Sequence, residues 1–159
     1  MSTTVRVEGV QETIKILREI DPELRKSFNK NAKEIVKPLV SAAQAAYRST
    51  SFPSGTARPW APGGRQIFPL TSQATSRGVT TKISTSKRNA GAIVVVQANP
   101  GGAVFEFAQN GALGQAFNVK NGYPARVMWK AADQNLDAVQ RNMVKYIDEV
   151  SETITKRFY

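Results

Sequence analysis

Residues 22–47 read PELRKSFNKNAKEIVKPLVSAAQAAY, and apolar residues recur in this stretch at steps of three and four. That spacing puts the apolar side chains on one face of a long α-helix. Asp21 can accept hydrogen bonds from the free amides at the helix start, and Pro22 suits the first helical position. Pro38 lies inside the pattern, where it removes one backbone hydrogen bond, so we expect a kink or break there. The apolar positions are Leu24, Phe28, Ala32, Ile35, Leu39, Ala42 and Ala46.

The end of the chain predicts a second long helix, from just after Pro124 to about Lys156. It would extend on the order of 48 Å at about 1.5 Å per residue, whereas an eight-residue strand covers about 26 Å. We therefore expect it to pack on the first long helix and on a sheet, to overhang that sheet, and to pack partly on a neighbour. A dimerising coiled coil is the alternative, but the flanking positions lack a clear opposite-charge pattern. The apolar stripe comprises Trp129, Ala132, Leu136, Val139, Met143, Tyr146 and Val150.

Between the two helices the sequence predicts a small antiparallel sheet. Residues 79–85 alternate apolar or β-branched positions with polar ones, and residues 93–96 are a β-branched run. Together they predict a hairpin whose turn is residues 87–89. Residues 103–108 predict another strand, and residues 4–8 alternate as a short strand would.

The segments around the sheet are shorter or irregular. Residues 10–20 predict a first helix, and Asn99-Pro100-Gly101-Gly102 predicts a turn. Residues 49–70 hold four prolines, three glycines and no acid, a composition that suits neither a helix nor a central strand. A loop of this length in a compact domain is uncommon unless it binds or covers something. Its candidate interface residues, of types that anchor protein interfaces, are Phe52, Arg58, Trp60 and Arg65.

The 159 residues are therefore predicted to form a single α+β domain. In it, an antiparallel sheet of three to four strands packs against a long N-terminal and a long C-terminal helix, with an extended Pro/Gly-rich loop. The predicted parts are an N-terminal strand and helices (1–48), the long loop (49–75), the sheet (76–108), a Gly-rich loop (109–124) and the C-terminal helix (125–157).

Positive charge is concentrated in the middle of the chain. Between Ile35 and Ala132 there are eleven Lys and Arg residues and one acid, Glu106. This segment therefore carries a net charge of +10, which is the net charge of the whole chain. The two flanking segments balance to zero. Such a balance favours acidic partners, with nucleic acid as the first candidate and an acidic protein surface as the second.

Several classes of function are disfavoured by what the sequence lacks. It contains no cysteine and no histidine, so it has no disulfide framework, no thiolate nucleophile and not the commonest general base or metal ligand. No nucleophile elbow, phosphate loop or other catalytic spacing occurs. We therefore expect no enzyme activity, no cofactor and no metal. The stretch MSTTVRVEGV does not resemble a signal peptide, and no apolar run approaches about 18 residues, so we expect a cytoplasm-like compartment and no membrane association.

Nucleic-acid binding is a second candidate function because four cations lie on or beside the predicted hairpin: Arg77, Lys82, Lys87 and Arg88. A basic hairpin can follow phosphates. The aromatic residues are not interleaved with these charges, however, and no base-reading module is present. The simpler interpretation is that exposed strands carry Lys and Arg for solubility. A cytoplasmic, non-sequence-specific nucleic-acid-binding protein is therefore the alternative function.

Glu106 lies in the predicted strand Val104-Phe105-Glu106-Phe107. Strand alternation would put Glu106 on the face opposite Phe105 and Phe107, so one interpretation is a solvent-facing side chain. The other is an ion pair with Arg126 or with an arginine of a neighbouring subunit, because a positive field favours the anion. A catalytic role is less favoured, since no second acid or base lies nearby in the sequence.

The order of these parts resembles the small tail-completion, or head-tail joining, proteins of long-tailed (siphovirus-type) bacteriophages. In that family an N-terminal strand and helices precede a small sheet, an aromatic-Glu-aromatic-type strand leads to a Gly-containing loop, and a Pro-Ala-Arg-like segment begins the final helix. Here those positions are filled by residues 104–111 and by Tyr123-Pro124-Ala125-Arg126. The chain departs from the family after the first long helix, where the longer Pro/Gly stretch replaces a "Pro, Thr, Gly, Leu" type of segment.

The resemblance implies a structural virion protein without catalytic residues. Its subunits would form a ring in the neck or upper tail, linking the tail tube to the head connector, after assembly in the host cytoplasm. The implied partners are other copies of the chain, a tail terminator or tail tube protein and head connector proteins, with nonspecific contact with genomic DNA. The hypothesised interface residues are Phe52, Arg58, Trp60, Arg65, Glu106 and Arg126.

Overall fold

The computed structural model describes residues 2–4, 13–17, 22–53, 56, 70–83 and 93–158. This part of the chain is mostly helical with a small antiparallel sheet and long N- and C-terminal helices, which confirms the predicted α+β class. In chain order the elements are β1 (Ser2–Thr4), α1 (13–17), α2 (Pro22–Ser49), α3 (Ser72–Gly78), β2 (Val79–Ile83), β3 (Ile93–Gln97), α4 (Pro100–Phe107), α5 (Gly111–Asn121) and α6 (Met128–Phe158).

Helix α2 is the central element of the fold, in contact with α3, α6 and both strands of the hairpin. It begins at Pro22, as predicted. Of the kink or break expected at Pro38, the break does not occur, because α2 continues to Ser49. Val36 and Leu39, close to the proline on either side, are each 1% exposed. Packing of both flanks holds the helix together although one backbone hydrogen bond is missing.

Helix α6 lies antiparallel to α2. Near the start of α2, the ring of Phe28 stacks on that of Tyr146 with 5.4 Å between centroids, and Asn31 donates to the Tyr146 hydroxyl at 3.0 Å. At the other end, Tyr47 and the first residue of α6, Met128, bind the same carboxylate. At about 1.5 Å per residue the 31 residues of α6 extend about 46 Å and the 28 residues of α2 about 42 Å. The predicted packing of α6 on the first long helix is confirmed. Its predicted packing on the sheet is not, because among the described residues it is α2 that contacts strands β2 and β3.

The sheet is built on the predicted hairpin, which is confirmed. Strands β2 and β3 pair antiparallel, from Val79 opposite Gln97 to Ile83 opposite Ile93. Strand β1 pairs antiparallel with the other edge of β3 over residues 2–4. The predicted turn at residues 87–89 lies outside the described residues, as do residues 5–8 of the predicted first strand.

The predicted strand at residues 103–108 is wrong, because residues 100–107 form helix α4. The expected turn Asn99-Pro100-Gly101-Gly102 is the start of this helix. The Asn99 side chain accepts a hydrogen bond from the Gly102 amide at 2.7 Å, and Pro100 occupies the first turn. Apolar and aromatic residues with a high strand propensity thus lie in a helix whose cap and packing outweigh that propensity.

Gln97 explains why glycines flank the sheet. Its side-chain amide donates to the Thr75 carbonyl at 3.0 Å, and its side-chain oxygen accepts from the Asn99 amide at 2.9 Å. A Cβ atom at Gly78 would lie 2.0 Å from the Gln97 Oε1 atom, and one at Gly102 would lie 2.7 Å from its Cδ atom. Glycine therefore lets the ends of α3, β3 and α4 meet around one buried amide.

Two predicted loops also contain helices. Residues 111–121 of the predicted Gly-rich loop (109–124) form α5, which ends at Gly122 with φ 82°. Residues 72–75 of the predicted long loop (49–75) lie in α3, which Thr71 caps by accepting from the Ala74 amide at 3.1 Å. The sheet region predicted to begin at residue 76 therefore opens with the end of a helix.

Replacing Gly114 by alanine is expected to destabilise the protein although alanine favours helices. A Cβ atom there would lie 2.6 Å from the Gln109 carbonyl carbon and 2.8 Å from its oxygen, so backbone must move. The propensity gain of about 1 kcal/mol is outweighed, and we expect a net loss of about 1–2 kcal/mol in urea unfolding. The exposed neighbour Gln115→Ala serves as control and should stay within about 0.5 kcal/mol. A raised urea midpoint for Gly114→Ala would contradict the close approach.

Candidate functional site

Glu106 has no exposed surface (0%) and lies among hydrogen-bond donors. Its Oε1 atom accepts from the Tyr47 hydroxyl at 2.6 Å, from the Val127 amide at 3.1 Å and from the Met128 amide at 3.0 Å. Its Oε2 atom is 3.3 Å from the Val127 amide. Because α6 begins at Met128, the Glu106 carboxylate caps the amino end of α6 from a different helix.

Arg126, which is 3% exposed, binds the carboxyl ends of two other helices. Its guanidinium donates to the carbonyls of Phe105 and Ala108 at the end of α4, the latter at 2.8 Å. It also donates to the Gly122 carbonyl at 2.7 Å and to the Asn118 Oδ1 atom at 2.6 Å, both at the end of α5. A planar group with several fixed donors suits such a set of acceptors.

The short connection between α5 and α6 brings these groups together. Gly122 and Ala125 both have positive φ, 82° and 66°, and Ala125 is the only non-glycine residue with positive φ among those described. The Ala125 amide donates to the Glu106 carbonyl at 2.8 Å. This bond offsets the cost of the left-handed conformation at Ala125, which places Arg126 and the start of α6 on either side of Glu106.

Tyr47, Glu106, Asn118 and Arg126 thus form one buried polar cluster at the meeting point of four helices. The guanidinium also lies against two aromatic rings, 5.4 Å from the Phe105 centroid and 5.5 Å from the Phe117 centroid. Negative charge faces a helix amino end and positive charge faces two carboxyl ends, so the helix dipoles favour both charges. The cluster ties α4, α5 and α6 to the end of α2.

Both sequence-based interpretations of Glu106 are corrected by this geometry. Its side chain is enclosed, so it faces neither solvent nor an arginine of a neighbouring subunit. The predicted direct ion pair with Arg126 is also wrong, because no pair within 4.0 Å joins these two described side chains. Glu106 and Arg126 are neighbours, but each binds backbone groups first.

Burial changes the titration of the cluster. It raises the pKa of the Tyr47 hydroxyl far above its usual range, and the charge and hydrogen bond of Glu106 act in the same direction. Burial lowers the pKa of the Arg126 guanidinium, an effect that the nearby Glu106 carboxylate opposes. Burial also raises the pKa of Tyr146 at the α2–α6 contact. The folded chain therefore strongly favours the protonated form of Tyr47.

Tyr47→Phe is expected to flatten the alkaline part of the stability profile. The unfolded tyrosine loses its proton near pH 10 while the folded one keeps it, so this contribution to stability is complete below pH 10 and falls as the pH rises further. The substitution should cost about 1–2 kcal/mol at neutral pH and reduce the slope above pH 10 by up to about 1.4 kcal/mol per pH unit. Urea unfolding between pH 8 and about 11.5 measures both effects.

The control for this prediction is Tyr123→Phe, at a residue that is 77% exposed. That variant should reproduce the profile of the parent protein. If Tyr47→Phe and the parent lost stability equally steeply above pH 10, Tyr47 would not be held in its protonated form by the fold.

Phe52 is the one candidate interface residue of the long loop that lies within the described part of the chain. Its ring packs edge-on against Phe105 with 4.8 Å between centroids, and its carbonyl accepts from the Lys120 side chain at 3.0 Å. The Asn121 side chain donates to the Ser51 carbonyl at 3.0 Å. The beginning of the loop is therefore fixed to α5, whereas the other candidate interface residues of the loop, Arg58, Trp60 and Arg65, lie outside the described residues.

Of the six candidate interface residues, three are described by the structure and lie close together, and the other three lie outside the described residues. Glu106 and Arg126 come together in the polar cluster, and Phe52 packs on its edge against Phe105. Because Glu106 and Arg126 are enclosed, the interface hypothesis does not hold for these two side chains.

Two members of the cluster, Tyr47 and Asn118, were missed by sequence reasoning. Tyr47 follows the apolar stripe of α2 and is 0% exposed, and a buried tyrosine normally finds a partner for its hydroxyl. That signal was present in the sequence. Asn118 lies between Phe117 and Val119 in a stretch predicted to be an irregular loop, and nothing in its sequence neighbourhood distinguishes it before the fold is known.

Sequence reasoning also missed four lysines that recur at steps of four, three and four residues on α2. The net charge of the first 35 residues does not reveal them, because positive and negative charges nearly cancel there. Residues 22–49 alone, however, contain six Lys and Arg residues and two Glu residues. The four are Lys26, Lys30, Lys33 and Lys37.

The cluster offers little to a substrate because Tyr47, Glu106 and Arg126 are enclosed and bonded to protein groups. Among the described residues no group of three or more Asp, Glu, Cys or His side chains is placed to hold a metal ion. In the same part of the chain no helix combines the length and apolar character needed to cross a membrane. What the arrangement does chemically is to neutralise three helix ends.

Comparison with known proteins gave no match: no family model, no curated protein and no solved structure is significantly similar to this chain.

Proposed function

We propose that this chain is a noncatalytic structural protein of a tailed bacteriophage, a tail-completion or head-tail joining component that forms a ring between the tail tube and the head connector. One observation carries the proposal. The two segments on which the family resemblance rests, Phe105-Glu106-Phe107 and Tyr123-Pro124-Ala125-Arg126, contact each other through the polar cluster. A motif shared by a family of one fold is expected at residues that hold the fold together, and the residues of these two segments do so here.

The chemistry of the cluster supports a structural role. Glu106 and Arg126 together bind three backbone carbonyls and two backbone amides, Arg126 also contacts two aromatic rings, and both side chains are enclosed. A group without access to solvent cannot meet a substrate without a large rearrangement. The fold proposed for this protein has a sheet of three to four strands, in which β1 is the third strand.

Self-association is supported by exposed apolar side chains near the start of the long loop. Val119 on α5 is 90% exposed and Tyr123 is 77% exposed. The two residues that follow Val119, Lys120 and Asn121, donate hydrogen bonds to the carbonyls of Phe52 and Ser51. We propose that this end of α5 and the long loop meet the neighbouring subunit of the ring.

Assembly of the purified protein tests the proposal. We expect closed rings in native mass spectrometry and electron microscopy, formed by the protein alone or after addition of the head connector and tail tube proteins encoded beside its gene. Trp60→Ala should weaken assembly at least tenfold and leave the melting temperature unchanged, because interface aromatics carry much of the binding energy. A protein that stays monomeric with all of these partners would contradict the function. Parallel loss of melting temperature and assembly in Trp60→Ala would place Trp60 in the core instead.

A further inference from the structure

The exposed face of α2 carries a stripe of lysines. Lys26, Lys30, Lys33 and Lys37 are all exposed, and at 3.6 residues per turn they lie within about 60° of one another around the helix axis. The stripe extends about 16 Å along the helix at about 1.5 Å per residue. Like charges at this spacing on a helix destabilise it slightly, so the stripe is not explained by the stability of α2.

A shallow cavity of about 330 Å³ opens beside the stripe. It is lined by Lys26, Asn29, Lys30, Lys33 and Glu34. The Asn29 side-chain oxygen is buried and has no hydrogen-bond partner. Glu34 is the acid within the stripe, and its carboxylate is paired with Lys37 at 3.1 Å. Three of the four lysines thus line one open cavity, and the one acid there is paired with the fourth lysine.

We infer that this lysine stripe is a binding surface for the phosphate backbone of duplex DNA. Lysine supplies compact positive charges with mobile donors, which suit phosphate oxygens. Duplex DNA carries one negative charge per about 1.7 Å, so about 16 Å of helix can approach several phosphates at once. The stripe contains no aromatic side chain that could stack on a base, so binding is independent of sequence.

An acidic protein surface fits the stripe less well. Protein interfaces are enriched in aromatic residues, Met and Arg and depleted in Lys, whereas every cation of the stripe is lysine. The exposed large apolar side chains of the described residues, Ile16, Val119, Tyr123 and Val144, lie on other elements or turns. The inference differs from the sequence-based alternative, which placed phosphate contacts on the hairpin, and it does not rest on the proposed function.

Fluorescence anisotropy with a labelled 20-base-pair duplex of mixed sequence tests the stripe, using the full chain at several salt concentrations. The parent protein should bind with a log-log salt slope of about −3, since each phosphate contact contributes about −0.9. The triple variant Lys26→Gln, Lys30→Gln, Lys33→Gln should weaken binding at least tenfold at low salt and bring the slope close to zero. Its melting temperature should match that of the parent because all three side chains are exposed.

Two further variants remove the same charge elsewhere. Arg141→Gln, Lys145→Gln, Lys156→Gln on the exposed face of α6 should keep most of the affinity and the salt slope. Lys82→Gln, Lys87→Gln, Arg88→Gln, at cations that the sequence places on or beside the predicted hairpin, should do the same. Larger losses in either variant than in the α2 variant would overturn the inference.

Two other results would also overturn it. One is a parent protein that does not bind the duplex at low salt. The other is an α2 variant that changes self-association, measured by sedimentation, without changing DNA affinity. Failure of this inference would leave the ring assembly test unaffected, and failure to form rings would leave DNA binding by the stripe unaffected.

Discussion

Glu106→Leu is expected to lower the free energy of unfolding by about 3–5 kcal/mol, because it removes the acceptor from three buried donors. These are the Tyr47 hydroxyl and the amides of Val127 and Met128. Leucine nearly preserves the volume of the side chain, so the loss reports hydrogen bonds and charge more than a cavity. The free energy of unfolding from urea denaturation with a two-state fit measures it.

Glu106→Gln should recover part of this loss, since one amide oxygen still accepts hydrogen bonds while the charge is gone. The matched control is Glu34→Gln, at an acid whose side chain is 60% exposed, and it should change stability by less than about 0.5 kcal/mol. Equal effects of Glu106→Leu and Glu34→Gln would mean that the buried carboxylate does not cap α6.

Arg126→Met is expected to cost a similar amount, about 3–5 kcal/mol, because four acceptors lose their donor. Two of them, the carbonyls of Phe105 and Ala108, end α4, and the Gly122 carbonyl and the Asn118 side chain end α5. Methionine keeps the apolar part of the side chain against the two phenylalanine rings. The same urea experiment applies.

Arg126→Lys should recover less than half of the loss, since one ammonium group cannot reach acceptors spread around a planar guanidinium. Arg141→Met on the exposed face of α6 removes the same charge and should have little effect on stability. If Arg126→Lys equalled the parent protein, a single positive charge would suffice and the fork of hydrogen bonds would be unimportant.

The long elements of the fold follow from sequence pattern. The apolar stripes of α2 and α6 continue over many turns, and the β-branched run of β3 follows an alternating strand, so pattern and structure agree. Helices α4 and α5 are short and contain glycines that intrinsic propensity would exclude from a helix. Gly102 and Gly114 are each approached closely by the residue five positions earlier, Gln97 and Gln109 respectively, so a side chain would not fit there. These contacts depend on how the chain turns into each helix, which intrinsic propensity does not show.

The candidate site was predictable only in part. Glu106 stood out as a lone acid and Arg126 as a partner, and both lie in the same cluster. Their actual partners are mainly backbone amides and carbonyls at helix ends. The sequence pattern predicts a strand around Glu106, and a strand there does not indicate the helix ends that Glu106 and Arg126 bind.

The polar cluster also bears on the order in which the chain folds. The hydrogen bonds of Arg126 span 21, 18, 8 and 4 residues, whereas the bond from Tyr47 to Glu106 spans 59. Closing short loops costs less entropy than closing long ones. The segment from α4 to the start of α6 can therefore assemble early around Arg126, and α2 joins it when Tyr47 reaches the carboxylate.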